Sequence, residues 1–305
     1  MIVRWGLDAL PEVLRGRSAF LLATERWGAP VEVVGRWSEL PTERDVDVGD
    51  AEVVLALGGG STIDTAKRVS ATAGLPLVSV PTTYSGAEWT DYFGVRDAER
   101  RMHGGGAGAH NEAIVYDVDL TVDLPREVSG GTALNALAHC CEALYVKGRD
   151  PSADALALEG ADMISSALPR VLDEPSDRGP REDLLRGAAQ AGEALARSGL
   201  ALGHAMAQAI GGRYGLPHGV LNALCLPAAL RFDAEFVPVE LLGGRAADRA
   251  EELARLAGFT NLRALGVPHE ELPELAEAIV QRRGAQLNPR PASTAEVLEL
   301  LRSIY

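Results

Sequence analysis

Two kinds of hydrophobic spacing divide the chain. Up to about residue 125, short aliphatic and β-branched runs alternate with helical or loop stretches. "AFLLAT" (19–24), "VEVV" (31–34), "EVVLAL" (52–57), "PLVSVP" (76–81) and "AIVYD" (113–117) predict strands. "TIDTAKRVSATAG" predicts a crossover helix between the third and fourth of these, the arrangement of a parallel sheet. After "DLPREVSGG" the texture changes to Ala/Leu-rich stretches with helical spacing. They cover 134–147, 151–168, 181–210, 219–230, 245–256, 269–282 and 293–303, with Gly- and Pro-containing gaps such as "DEPSDRGP" and "LNPRP". The pattern predicts an α/β N-terminal domain with a parallel sheet over 1–125 and an all-helical C-terminal domain over 126–305.

Charge narrows the partners. The formal net charge is −14 and the pI about 4.9, which argues against a nucleic-acid or anionic-membrane surface. The longest apolar runs stop well short of a membrane span. "MIVRWGLDALPE" has no basic region followed by an apolar stretch and a cleavage site, so a cytoplasmic protein is expected. Cys140, Cys141 and Cys225 form no CxxC pair and read as reduced thiols. A metal would have to be held by histidine, carboxylate or amide groups.

"VVLALGGGSTIDTAK" places Gly58, Gly59 and Gly60 between a predicted strand and a predicted helix. Strand, glycine turn and helix N-terminus form a phosphate-binding arrangement, because backbone N–H groups can approach an anion at the positive end of the helix. The run matches neither the GxGxxG nor the GxxxxGK[ST] pattern. Ser61 and Asp64 read equally as a capping box and as cofactor contacts. In "VPTTYSG" (80–86), Thr82, Thr83 and Tyr84 follow the next strand at the same sheet edge. Ligands gather at that carboxyl edge.

The helical half carries polar residues in apolar surroundings. In "GGTALNALAHCCEALY", Asn135 and His139 are four apart and share a helix face, and Glu142 is expected beside His139. His204 and His218 lie fourteen apart around a Gly-Gly break in "HAMAQAIGGRYGLPH". Each histidine alone reads as a buried, hydrogen-bonded core residue. Three of them on separate helices, with an amide, suit zinc or ferrous iron. His103 and His110 flank "GGGAGA", read as a mobile loop near a cleft, and His269 reads as a surface cap.

"GGGSTIDTAK", "PTTYSGAEWT", "GGTALNALAHCCEALY" and "HAMAQAIGGRYGLPHGVLNALCLP" together resemble the iron-containing (group III) alcohol dehydrogenase family, in order and spacing across almost the whole chain. The resemblance implies a dinucleotide-binding domain followed by a helical one, the dehydroquinate synthase-like architecture, with nicotinamide and substrate in the domain cleft. It implies that Gly58–Gly60, Ser61, Asp64, Thr82, Thr83 and Thr24 contact NAD(P)H. It also implies a divalent metal, Fe²⁺ or Zn²⁺, on Asn135, His139, His204 and His218. Asn135 stands where metal-dependent members carry aspartate, and a neutral amide is a poorer partner for a dication. This asparagine and the short "PTTYSGAEWT" make the chain resemble the maleylacetate reductase branch, which reduces the conjugated C=C of an oxo-dicarboxylate. Gln208 departs from that branch, where histidine is common, and the chain is short for the family.

The expected activity is therefore an NAD(P)H-dependent reductase of a conjugated C=C or C=O in a small oxo-acid, with His139, His204, His218 and Tyr84 in the catalytic set. Alternatives are a metal-dependent alcohol/aldehyde dehydrogenase, a non-catalytic nucleotide-binding relative and, more remotely, a dehydroquinate-synthase-like lyase. Glu25 beside Thr24 favours NADH. Exposed sheet edges and the resemblance favour a homodimer. A dicarboxylate substrate needs cations: Arg101 ranks first, before His103 and Arg213, while Arg100 reads as a solvated tip.

Overall fold

The computed structural model describes residues 1–98 and 101–305; Arg100 lies outside the described residues. Two compact units divide between Asp123 and Leu124.

The first unit is a six-stranded sheet built from β1 (Ile2–Trp5), β2 (Ala19–Leu22), β3 (Gly35–Trp37), β4 (Val53–Gly58), β5 (Pro76–Pro81) and β8 (His110–Tyr116), in the order β1-β8-β5-β4-β2-β3, every neighbour parallel. Successive residues of β4 point to opposite faces. Val53, Leu55 and Leu57 pack with the short helix α1 (Leu10–Leu14), whereas Val54 and Ala56 pack with Ile63, Ala66 and Val69 of α2 (Gly60–Ala73). A strand covered on both faces reads as a continuous apolar run, which is why β4 and β5 were legible.

Two expectations for this unit need correction, and one strand was missed. The second strand forms at 35–37 rather than 31–34: a Cβ on Gly35 would lie 2.7 Å from the Phe20 ring, so the glycine lets that ring close over the strand. The "GGGAGA" run is no loop at its start, because β7 (Met102–Gly106) pairs antiparallel with β6 (Phe93–Arg96). Glycine fits there because a Cβ on Gly106 would stand 2.8 Å from the Phe93 ring. β1 went unforeseen, being four residues long and half exposed at a sheet edge.

The second unit is helical: α3 (Arg126–Ala143), α4 (Asp154–Asp173), α5 (Arg178–Ser198), α6 (Leu202–Tyr214), α7 (His218–Phe232), α8 (Ala246–Leu256), α9 (Leu272–Val280), α10 (Arg283–Gln286) and α11 (Thr294–Ser303). The expected helix over 181–210 is two helices, because Gly199 at φ +109 ends α5. The helix expected from 134 begins at Arg126 and takes "GG" into its interior. Those glycines set the packing. A Cβ on Gly219 would stand 2.5 Å from the Gly131 carbonyl carbon, so α3 and α7 cross backbone to backbone. None of the described helices is long and apolar enough to cross a membrane.

Candidate active site

In the α/β unit, β4 runs into Gly58 and α2 begins at Gly60, with Gly59 as its N-cap. None of the three has a positive φ, so what the turn needs from glycine is space. A Cβ would stand 2.6 Å from Thr62 Oγ1 at Gly58, 3.0 Å from Thr83 Cγ2 at Gly59 and 3.1 Å from Ser85 Oγ at Gly60. Thr82 donates its backbone N–H to Gly58 O at 3.0 Å and ties the two turns together. Thr82, Thr83 and Tyr84 are buried, and the Thr83 hydroxyl has no hydrogen-bond partner among the described residues. An orphaned hydroxyl beside a cradle that a Cβ would fill, at a helix end with no side-chain cap, fits the pyrophosphate of a dinucleotide.

The capping box does not form. Ser61 lies inside the first turn; its carbonyl accepts the Thr65 hydroxyl at 3.0 Å. Asp64 accepts Gly94 N–H at 3.4 Å and Lys67 Nζ at 3.3 Å. Lys67, buried and not foreseen, also donates to Thr90 Oγ1 at 3.0 Å and Tyr92 O at 2.9 Å. Burial lowers its pKa, opposed chiefly by Asp64. These bonds hold α2 to the segment entering β6. Glu88, equally unforeseen, accepts the Tyr116 hydroxyl at 2.7 Å while burial raises its pKa. Thr24 follows β2 at the same sheet edge as Gly58, its carbonyl held by Arg36 Nη2 at 2.7 Å.

Of the expected cations, Arg101 is exposed, and its backbone N–H donates to Asp97 Oδ1 at 2.8 Å. His103 is taken by Asp97 at 2.7 Å, the hydrogen bond that raises its pKa. Arg213, in the helical unit, is taken by Glu271 at 2.5 Å and Glu274 at 2.8 Å.

The helical unit brings Asn135, His139, His204 and His218 together, although 83 positions separate the first from the last. The His139 and His204 rings stack at 4.8 Å, and His218 lies 5.7 Å from His204. Glu142 turns to His204 rather than His139, correcting the expectation. Its carboxylate accepts His204 Nδ1–H at 2.8 Å, His204 N–H at 3.0 Å and Ala201 N–H at 2.7 Å. Gly203 makes room for it, since a Cβ there would stand 2.8 Å from Glu142 Oε1. With its proton on Nδ1, His204 presents a lone pair at Nε2, which is buried and without a partner among the described residues. His139 is neutral: burial first, then the two neighbouring imidazoles, pull its pKa well down.

Asn222 completes the cluster. Its Nδ2 donates to Asn135 Oδ1 at 2.6 Å and faces His218 Nε2 at 3.0 Å. One amide thus engages two of the four expected metal donors. Among the described residues, the one set of three His, Cys, Asp or Glu donor atoms lying within 4.8 Å of one another is Glu43, Asp97 and His103; the three helical histidines do not converge that far. As they stand, these donors do not fit an ion. The signal for Asn222 was present in the sequence: it lies four residues after His218, as His139 follows Asn135.

Family models cover both units. Residues 130–305 match the Fe-containing alcohol dehydrogenase family, C-terminal, and residues 29–114 match iron-containing alcohol dehydrogenase. The chain is 34% identical over 280 residues to maleylacetate reductase 1 of Cupriavidus pinatubonensis, covering 89% of this chain and 77% of that one. Two solved structures span all of it. An iron-containing alcohol dehydrogenase from Corynebacterium glutamicum superposes with a TM-score of 0.90 at 28% identity, 94% of that chain being covered. Maleylacetate reductase from Rhizobium sp. superposes with a TM-score of 0.86 at 29% identity, 95% of that chain being covered.

Proposed function

The chain belongs to the iron-containing alcohol dehydrogenase family of oxidoreductases, which uses NAD(P) and iron, and from that premise we propose that it is a cytoplasmic, homodimeric NAD(P)H-dependent reductase of the maleylacetate type. Its substrate is a small oxo-acid with a conjugated C=C or C=O. The observation that carries the reading is the buried Nε2 of His204, without a partner among the described residues and backed by the Glu142 carboxylate.

The nicotinamide cofactor, when bound, supplies hydride. Gly58–Gly60, Ser61, Thr82 and Thr83 would hold its pyrophosphate, Thr24 and Asp64 would be further contacts, and Glu25 would favour NADH. His204 takes and returns the proton at Nε2, its ring oriented by the Glu142 carboxylate on Nδ1. His139, held neutral, offers a lone pair or an N–H without a second buried charge. His218, partly exposed at the start of α7, links this set to solvent, and Tyr84 is the further member of the catalytic set. Arg101 anchors one substrate carboxylate. No step runs through an ion, because Asn135 and His218 are engaged by Asn222.

The test is NADH and NADPH oxidation against a panel of oxo-acids, aldehydes and ketones, before and after chelation. Unsaturated oxo-dicarboxylates should give the highest kcat/KM, undiminished by chelation. Preference for neutral aldehydes, or loss of activity with the metal, overturns the reading.

A further inference from the structure

The helical unit holds a cation that no carboxylate claims. Arg282, between α9 and α10, is partly buried, and its guanidinium makes no hydrogen bond or ion pair with another described residue. Its pKa is lowered by burial alone. By contrast Arg213, on α6 (Leu202–Tyr214), is held by two glutamates.

Its position follows from packing. α10 lies flush on the start of α6, because a Cβ on Gly284 would stand 2.6 Å from Ala201 O and 3.3 Å from Ala205 Cβ. Farther along α6, the Arg282 Nη2 lies 3.7 Å from where a Cβ on Gly212 would be. The arginine therefore extends along α6 toward its C-terminal end. His204, Gln208 and Gly212 are spaced four apart and form one ridge of α6. On that ridge His204 and Gly212 are separated by roughly 12 Å of helix rise. Gln208, between them, is the one residue from Ala201 to Gly211 that is not buried. Its amide also makes no hydrogen bond to another described residue.

We propose that Arg282, with Gln208 one turn before Gly212 on the same ridge, binds the substrate carboxylate remote from the reacting carbon. The inference rests on the reductase reading above and deepens it by assigning the cation that selects a dicarboxylate. An unpaired guanidinium losing hydration has most to gain from a carboxylate, which it can hold through two parallel N–H···O bonds. Gly212 leaves open the space beside it, and the Gln208 amide can donate to the same carboxylate. The ridge then sets the spacing between the anchored end and the proton-handling Nε2 of His204.

Steady-state reduction by NADH of an unsaturated oxo-dicarboxylate and of its monocarboxylate analogue tests this, using wild type, Arg282→Met and Arg282→Lys. Arg282→Met should raise KM for the dicarboxylate by about 10–100-fold, the scale of a lost charged hydrogen-bond pair. It should leave KM for the monocarboxylate and the Kd of NADH unchanged. Arg282→Lys, which keeps the charge and the stem, should fall between. Equal loss on both substrates, or no loss on either while wild type turns the dicarboxylate over, overturns the assignment. A wild type that ignores every oxo-acid overturns the reductase reading instead.

Discussion

The two units build their chemistry in opposite ways. In the α/β unit the essential feature is missing matter: three consecutive glycines where side chains would strike Thr62, Thr83 and Ser85. In the helical unit it is surplus polarity: Asn135, His139, Glu142, His204 and Asn222, all buried inside Ala- and Leu-rich helices. The first arrangement is local in sequence and offers backbone to a ligand. The second is assembled from three helices and must satisfy its own polar groups before it can act, because each unmet buried group costs about 1–3 kcal/mol. Most are met, through Glu142 and Asn222. The exceptions, such as His204 Nε2 and His139 Nδ1, therefore stand out. A ligand is read from space in one unit and from an unpaired lone pair in the other.

The sharpest test separates the two jobs. His204→Ala should lower kcat by about 10²–10⁴-fold, the usual scale for a lost general acid–base, with the Kd of NADH unchanged by fluorescence titration. A loss confined to NADH affinity would mean that the histidine cluster serves the cofactor, and the contrast would collapse.

Gly59→Val is the mirror experiment. A branched side chain beside Thr83 Cγ2 blocks the approach to the α2 N-terminus. NADH affinity should fall by about 100-fold or more, since several charge-assisted N–H contacts of about 1.5–3 kcal/mol each are lost together. The protein should remain folded by circular dichroism. Unchanged titration would show that the glycines serve packing alone.

A third test concerns how the helical unit tolerates buried polarity. Asp233 is fully buried and accepts Asn288 Nδ2 at 2.7 Å; burial raises its pKa to about 7. A carboxyl raised in the folded state stabilises fully below its unfolded pKa near 3.8, and that contribution is lost as pH rises through about 7. Stability should therefore fall between pH 4 and 7 by up to about 1.4 kcal/mol per pH unit from this group. Asp233→Asn, which mimics the protonated acid, should remove that slope in urea titrations. A slope equal to wild type would place the proton elsewhere.

The same contrast explains what the sequence made legible. β4, the glycine turn and β5 were readable because strands buried on both faces leave unbroken apolar runs and the turn follows directly. Gly130 and Gly131 misled: two glycines suggest a break, yet they lie inside α3 because Gly131 faces α7 at backbone distance and a Cβ on Gly130 would stand 2.7 Å from Ala257 Cβ. The α5–α6 break was hidden by Ala-rich spacing that continues on both sides of Gly199. Asn135, His139, His204 and His218 were identifiable as polar intruders, and their motifs matched a family. Their partners were harder. Glu142 turned to a helix 59 residues away, reaching Ala201 and His204, and no spacing rule forecasts such a contact. Arg282 has no local signal, since its solitude is a property of the packed unit.

The smallest predicted effect is the most discriminating about the turn itself. Thr83 is buried, yet its hydroxyl has no partner among the described residues. If that oxygen existed for the fold, it would be bonded, because an unmet buried hydroxyl is a net cost. Thr83→Val replaces it with a methyl of nearly the same shape. The substitution should therefore leave the melting temperature unchanged or slightly raised, since an unsatisfied group has been removed. The Kd of NADH should rise by about 3–10-fold, the equivalent of one hydrogen bond of about 0.5–1.5 kcal/mol. The two readouts move independently, which gives the test its force. A melting temperature lowered by several degrees with NADH affinity intact would show that the hydroxyl serves the fold, through a contact formed in solution. Weaker NADH binding at unchanged stability would mark Thr83 as a cofactor contact, and with it the second turn as part of the nucleotide site.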